Sequence, residues 1–237
     1  MLSEALSFPT DGDDWEKPLL IGSGIMFASF LIGFAVIPLY GYFLRVMDAG
    51  RTGSRELPQF DDWEELIVDG IKMFAVNFVY VGIPTGVLFF VGFFAVLSAS
   101  IGLDSGAEGS GGAAIGVLVV VGALLLVGGL LYLVGAVLAP AALAHMRAEG
   151  ELVAAFRFRT VASLASDKNY LVAVTLAWFV GGAISLVGAL FAIVLIGLPV
   201  LVFGGMVTFH LFGQGYQRAR ARHEGRRPGA QPRVDTA

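Results

Sequence analysis

Four stretches of this chain contain no Asp, Glu, Lys or Arg: residues 19–44, 73–103, 113–144 and 169–217. A charge at mid-span costs a membrane helix roughly 2.5–3.5 kcal/mol on insertion scales. About 20 apolar residues cover a hydrocarbon core about 30 Å thick. A water-soluble core has no reason to exclude charge from runs this long. Composition agrees, with 57% hydrophobic and 14% charged residues, against about 45–50% and about 25% in soluble domains. The chain therefore reads as all-α, a polytopic transmembrane bundle in the plasma membrane.

Runs 19–44, 73–103 and 113–144 each read as one crossing, with Pro84 expected to kink the second. The run 169–217 is too long for one and reads as a hairpin, 169–195 and 198–217. Its turn is signalled by Ile196-Gly197-Leu198-Pro199, with Gly181-Gly182 as the rival. Five crossings put loops 45–72 and 145–168 and the tail 218–237 on one face. That face carries 14 of the 15 Lys and Arg residues, and Lys17 lies alone opposite. Cytoplasmic loops are enriched in Lys and Arg, so this reading places the acidic segment 1–18 outside and the basic tail, expected to be disordered, in the cytoplasm. Residues 104–112, DSGAEGSGG, form the external loop, and the transmembrane domain is 19–217.

The acid-rich passage ELPQFDDWEELIVDGIKMF, residues 56–74, lies between two of these runs. Trp63, Leu66, Ile67, Gly70, Ile71 and Phe74 form a helical stripe. Asp61 or Asp62 can cap its start, and Leu57-Pro58 blocks an earlier one. The passage is expected to lie in the cytoplasmic interface as an amphipathic helix with Trp63 and Phe74 facing the membrane. In loop 145–168, Val153, Phe156, Val161 and Leu164 suggest a second such helix. Pro38 precedes Arg45 by seven residues, and Pro140 precedes Arg147 by seven. The two units run in the same direction, as a parallel internal repeat would.

The segments IPLYGYFLRVMDAG (37–50), ELPQFDDWEELIVDGIKMF (56–74), AAFRFRTV (154–161) and GQGYQRA (213–219) together resemble a prokaryotic, often haloarchaeal, membrane family, domain of unknown function 4013. The resemblance picks out Gly41, Tyr42, Arg45, Leu57, Pro58, Asp61, Trp63, Asp69, Gly70, Lys72, Phe156 and Tyr216. It implies a membrane location and assigns no activity.

The chain has no cysteine, so thiol chemistry and disulfides are excluded. His145, His210 and His223 do not fall at metal-ligand spacing, and no phosphate-binding loop, nucleophile elbow or zinc signature occurs. Neither catalytic residues nor a cofactor are expected. His145 is expected to reach the headgroups. His210 and Asn77 are polar positions inside spans. Such residues mark functional sites or supply interhelical hydrogen bonds of about 0.6 kcal/mol. The tail RARARHEGRR, 218–227, suits anionic lipid, and no folded basic module suggests nucleic acid. Two function classes follow. One is a non-enzymatic membrane component with a membrane-protein partner or a second copy. The other is a small transporter for an uncharged or lipidic substrate.

Overall fold

The computed structural model describes residues 1–11, 14–104 and 110–225. The expected external loop and the tail beyond residue 225, with Arg226, Arg227 and Arg233, lie largely or wholly outside them. Every regular element among the described residues is helical. The chain divides into two compact units, one built from Met1–Phe74 and Pro140–Ala237, the other from Ala75–Ala139.

The first unit opens with α1 (Leu2–Ser7), α2 (Glu16–Leu31) and α3 (Ile37–Thr52). The run 19–44, expected as a single crossing, is thus two helices. At Ile32 the backbone becomes extended (φ −133°, ψ 96°), a 3-10 turn covers Gly33–Val36, and α3 restarts with Pro38 in its first turn. Proline has no N–H to lose there and its φ suits a helix start. Pro38 opens a helix, where the sequence reading had placed it late in one. The two arms fold back on each other, with Gly22 of α2 against Leu39 of α3. Asp11, Asp14 and Trp15 consequently share a polar cavity with Ser54, Arg55 and Gln59. Asp11, Asp14 and Trp15 thus lie at the same end of this unit as residues 54–59.

The helix α4 (Trp63–Asn77) returns from that end antiparallel to α3 and passes through a π-helical turn, Phe78–Gly82, into α5 (Ile83–Asp104). Residues 63–74 of the acid-rich passage are therefore the first part of a long helix and not a separate element, and residues 56–62 form the loop before it. Pro84 cannot donate to the carbonyl of Tyr80, and the wider turn falls at that gap. After α6 (Ser110–Glu149), a 3-10 turn Leu152–Phe156 leads to α7 (Phe158–Ala165), α8 (Lys168–Leu176) and α9 (Gly182–Phe191), the last two joined by a π-helical turn, Ala177–Gly181. Val161 and Leu164 are buried on α7, but Val153 is exposed and Phe156 lies in the preceding turn, so the expected four-residue face is only half formed. Asp167 caps α8 by accepting from the Asn169 amide at 2.8 Å. The hairpin turns at Ala192–Val194 and at Leu195, whose φ is 63°, and α10 (Gly197–Gly225) begins there. Arg218, Arg220 and Arg222, expected in a disordered tail, are helical.

Helices α3 and α10 run parallel and form the centre of this unit. The Gly50 α-carbon faces the His210 carbonyl, and Gly213 faces that of Met47. Small residues at both points let the two backbones meet. Tyr42, Phe43, Val46, Val202 and Met206 fill the core around them.

The second unit is an antiparallel pair, the end of the α4–α5 stretch against most of α6. Leu88 meets Gly128, and Leu124 meets Gly92. Apolar side chains cover its outside, including Phe89, Phe90, Phe93 and Leu125. Among the described residues, four helices are long and apolar enough to cross a membrane: Trp63–Ser98, Ile115–Glu149, Lys168–Val194 and Gly197–Gly225. The run 19–44, broken between α2 and α3, is not one of them.

Candidate functional site

Most positions singled out in the sequence gather where α3 and α4 cross. Gly41 faces the carbonyl of Leu66, and Gly70 faces that of Ile37. A side chain at either would overlap backbone, so only glycine permits this approach. Tyr42 is fully buried and its ring stacks on Phe60 at 4.2 Å between centroids. Leu57 and Pro58 are half-buried in the connecting loop.

Beside the crossing lie two sets of charges. Arg45 donates to the carboxylates of Asp61 and of Glu65, the latter at 2.9 Å, and to the carbonyl of Gln59. Both carboxylates are largely exposed. The second set is deeper. Asp69 is 1% exposed and accepts from Lys72 at 2.9 Å and Arg147 at 2.7 Å. Arg147 also lies 3.6 Å from Asp48, which accepts from Arg51 at 2.7 Å. Two carboxylates and three cations thus link α3, α4 and α6. Each carboxylate is held by cations, which suits a clasp between helices and leaves neither as a ready base.

On α4 the buried face is Leu66, Asp69, Gly70, Met73 and Val76, at i, i+3, i+4, i+7 and i+10. Trp63, Ile67, Ile71 and Phe74 are exposed. The expected stripe therefore mixes two faces, one packed on protein and one turned outward. The helix start follows the expected cap: Asp62 accepts from the Glu65 amide at 3.2 Å.

The intramembrane candidates part company. Asn77 ends α4 in the second unit and is half-buried. His210 is 1% exposed, stacked on Phe8 at 4.1 Å, with Nε2 3.1 Å from the Gln214 amide. Its Nδ1 and the Gln214 Oε1 have no partner among the described residues. The stacked ring, Phe8, comes from the N-terminal segment. Phe156 is half-buried and remote from His210 in sequence, in the turn before α7.

Tyr216 joins a group that sequence reasoning did not assemble. Its hydroxyl lies 2.9 Å from Nδ1 of His145, a buried residue 71 positions earlier. Arg220, one turn beyond Tyr216, pairs with Glu149 at 3.4 Å and Glu224 at 2.9 Å. These residues line a cavity of about 610 Å³ together with Thr160 and Ser163 of α7. Nothing in the sequence marks pairs so far apart. Among the described residues no group of three His, Asp or Glu is placed to hold a metal ion.

Residues 25–193 match the model of the family described as protein of unknown function (DUF4013). The chain belongs to this family. No curated protein and no solved structure matches it. The family match spans α3, α4, the crossing at Gly41 and Gly70, and the charged clasp, and it ends within the turn Ala192–Val194 that precedes α10.

The repeat suggested by the proline–arginine spacing is not matched by its partners. Arg45 reaches forward to Asp61 and Glu65, whereas Arg147 reaches back to Asp69 and Asp48.

Proposed function

We propose that this family member is a non-enzymatic component of the plasma membrane that assembles, through its hairpin 75–139, with a further transmembrane segment of a second copy or another membrane protein. One contrast carries this reading. In the first unit, Gly41, Gly50, Gly70 and Gly213 each face the backbone of a neighbouring helix. Along the hairpin, Gly86, Gly116, Gly122 and Gly129 face open space among the described residues. Small residues let helices approach closely in lipid, and these four positions leave room for one. The test is cross-linking in native membranes with Gly122→Leu and Gly129→Leu. Loss of a larger species in both variants is expected. A wild-type chain that runs as a lone monomer under every condition contradicts the reading.

The same proposal puts both chain ends in the cytoplasm. Because α2 and α3 fold back on each other, the segment with Lys17 shares an end with loop 45–72. All 12 Lys and Arg residues among the described residues then lie on one face, as the positive-inside rule favours.

A second reading, a carrier for a lipidic molecule, is supported by an apolar groove of about 480 Å³ on the hairpin, lined by Leu88, Phe89, Phe93, Leu124, Leu125 and Gly128. Reconstituted protein that moves a fluorescent lipid between leaflets, with Phe93→Ala abolishing it, would favour that reading over assembly.

A further inference from the structure

We propose that the cavity between the ends of α6 and α10 and helix α7 binds a neutral polyhydroxyl group, such as a sugar or the glycosyl headgroup of a lipid. The argument starts from one unsatisfied atom. His145 is 6% exposed and lines the cavity, and its Nε2 has no partner among the described residues. Leaving a buried polar group unpaired costs about 1–3 kcal/mol. A site built around one is waiting for an acceptor or a donor.

The surrounding bond leaves both tautomers open. Nδ1 of His145 is bonded to the Tyr216 hydroxyl at 2.9 Å. Nε2 is a donor where Nδ1 accepts from the phenol and an acceptor where Nδ1 donates to it. A hydroxyl group serves in either case, because it both donates and accepts.

Charge favours a neutral ligand. The lining holds two carboxylates, Glu149 and Glu224, one guanidinium, Arg220, engaged by both, and the imidazole of His223. An anion would meet two carboxylates beside a guanidinium they already hold. A hydroxyl can partner Nε2 of His145 and donate to Glu149 or Glu224. Thr160 and Ser163 add two more hydroxyls to the lining. The volume of about 610 Å³ lies within the range of small-molecule sites.

The test uses the full chain in nanodiscs and three probes: soluble methyl glucoside, monoglucosyl diacylglycerol in the bilayer, and phosphatidylglycerol as the anionic control. Binding is read by calorimetry and by saturation-transfer NMR. Binding of the glycolipid alone identifies a lipid headgroup as the ligand, and binding of the soluble glucoside identifies a free sugar; either supports the proposal. His145→Leu is expected to weaken binding at least about tenfold. Because His145 is buried, the exposed pair Thr160→Val and Ser163→Ala serves as a second variant, expected to weaken binding several-fold with unchanged thermal stability. Binding of phosphatidylglycerol only, binding of no probe, or sugar binding unaffected by every variant overturns the proposal.

Discussion

At the scale of residues, the two sets of charges should behave very differently. Asp69 is buried and holds Arg147 and Lys72 together. Asp69→Asn leaves two cations facing each other, and breaking a buried pair in this way costs about 3–5 kcal/mol. A fall in thermal midpoint in detergent is expected. Asp61→Asn removes a partner that is 75% exposed, and exposed pairs contribute about 0–1 kcal/mol. Its midpoint should stay close to that of the unaltered chain. Equal loss in both variants contradicts the clasp. His210 points the other way. Its Nδ1 and the Gln214 Oε1 lack partners among the described residues, so replacing both polar groups by apolar ones of similar shape should be near neutral. His210→Phe with Gln214→Leu is expected to unfold at or above the unaltered temperature. The family residues were visible in the sequence, but their roles were not. Asp69 sits one position from Gly70 on a helix whose apolar stripe is continuous on two sides, and only packing shows which side faces protein. His145 and Tyr216 meet across 71 positions, which no local pattern records.

At the scale of elements, the decisive event is the break between α2 and α3. Length and apolarity of the run 19–44 suggested one crossing, and Gly33 and Pro38 were present in the sequence as its contrary signal. Proline tolerated at a helix start reads the same, locally, as proline late in a span. The two hairpins of the first unit have apolar turns, with Phe34 and Ile193 both largely exposed. Such turns are suited to lipid or its boundary rather than to water. The chain has no cysteine, so single cysteines can be introduced without background. Phe34→Cys and Ile193→Cys are expected to resist a membrane-impermeant maleimide applied to either side, while Asp104→Cys should react from outside. Ready labelling of Phe34→Cys from outside would show a crossing at that point. The crossing of α3 and α4 makes a further demand. Gly41→Leu would drive a side chain into the Leu66 carbonyl, and overpacking of this kind costs about 1–3 kcal/mol or more. Gly129→Leu, facing open space, should leave the stability of the isolated chain unchanged.

At the scale of the whole molecule, the fold class follows from charge-free runs and needed no structure to read. The break in the run 19–44 was not legible there, because a run of that length and apolarity reads equally as one span or as two shorter helices. The proposed topology has α2 and α3 as a hairpin that returns to the end it left, with the N-terminus and the C-terminus both in the cytoplasm. The most direct test places compartment-sensitive reporters at the N-terminus and the C-terminus of the full-length protein in its native membrane. Both reporters are expected to be active in the cytoplasm. Reporters in opposite compartments would contradict the claim.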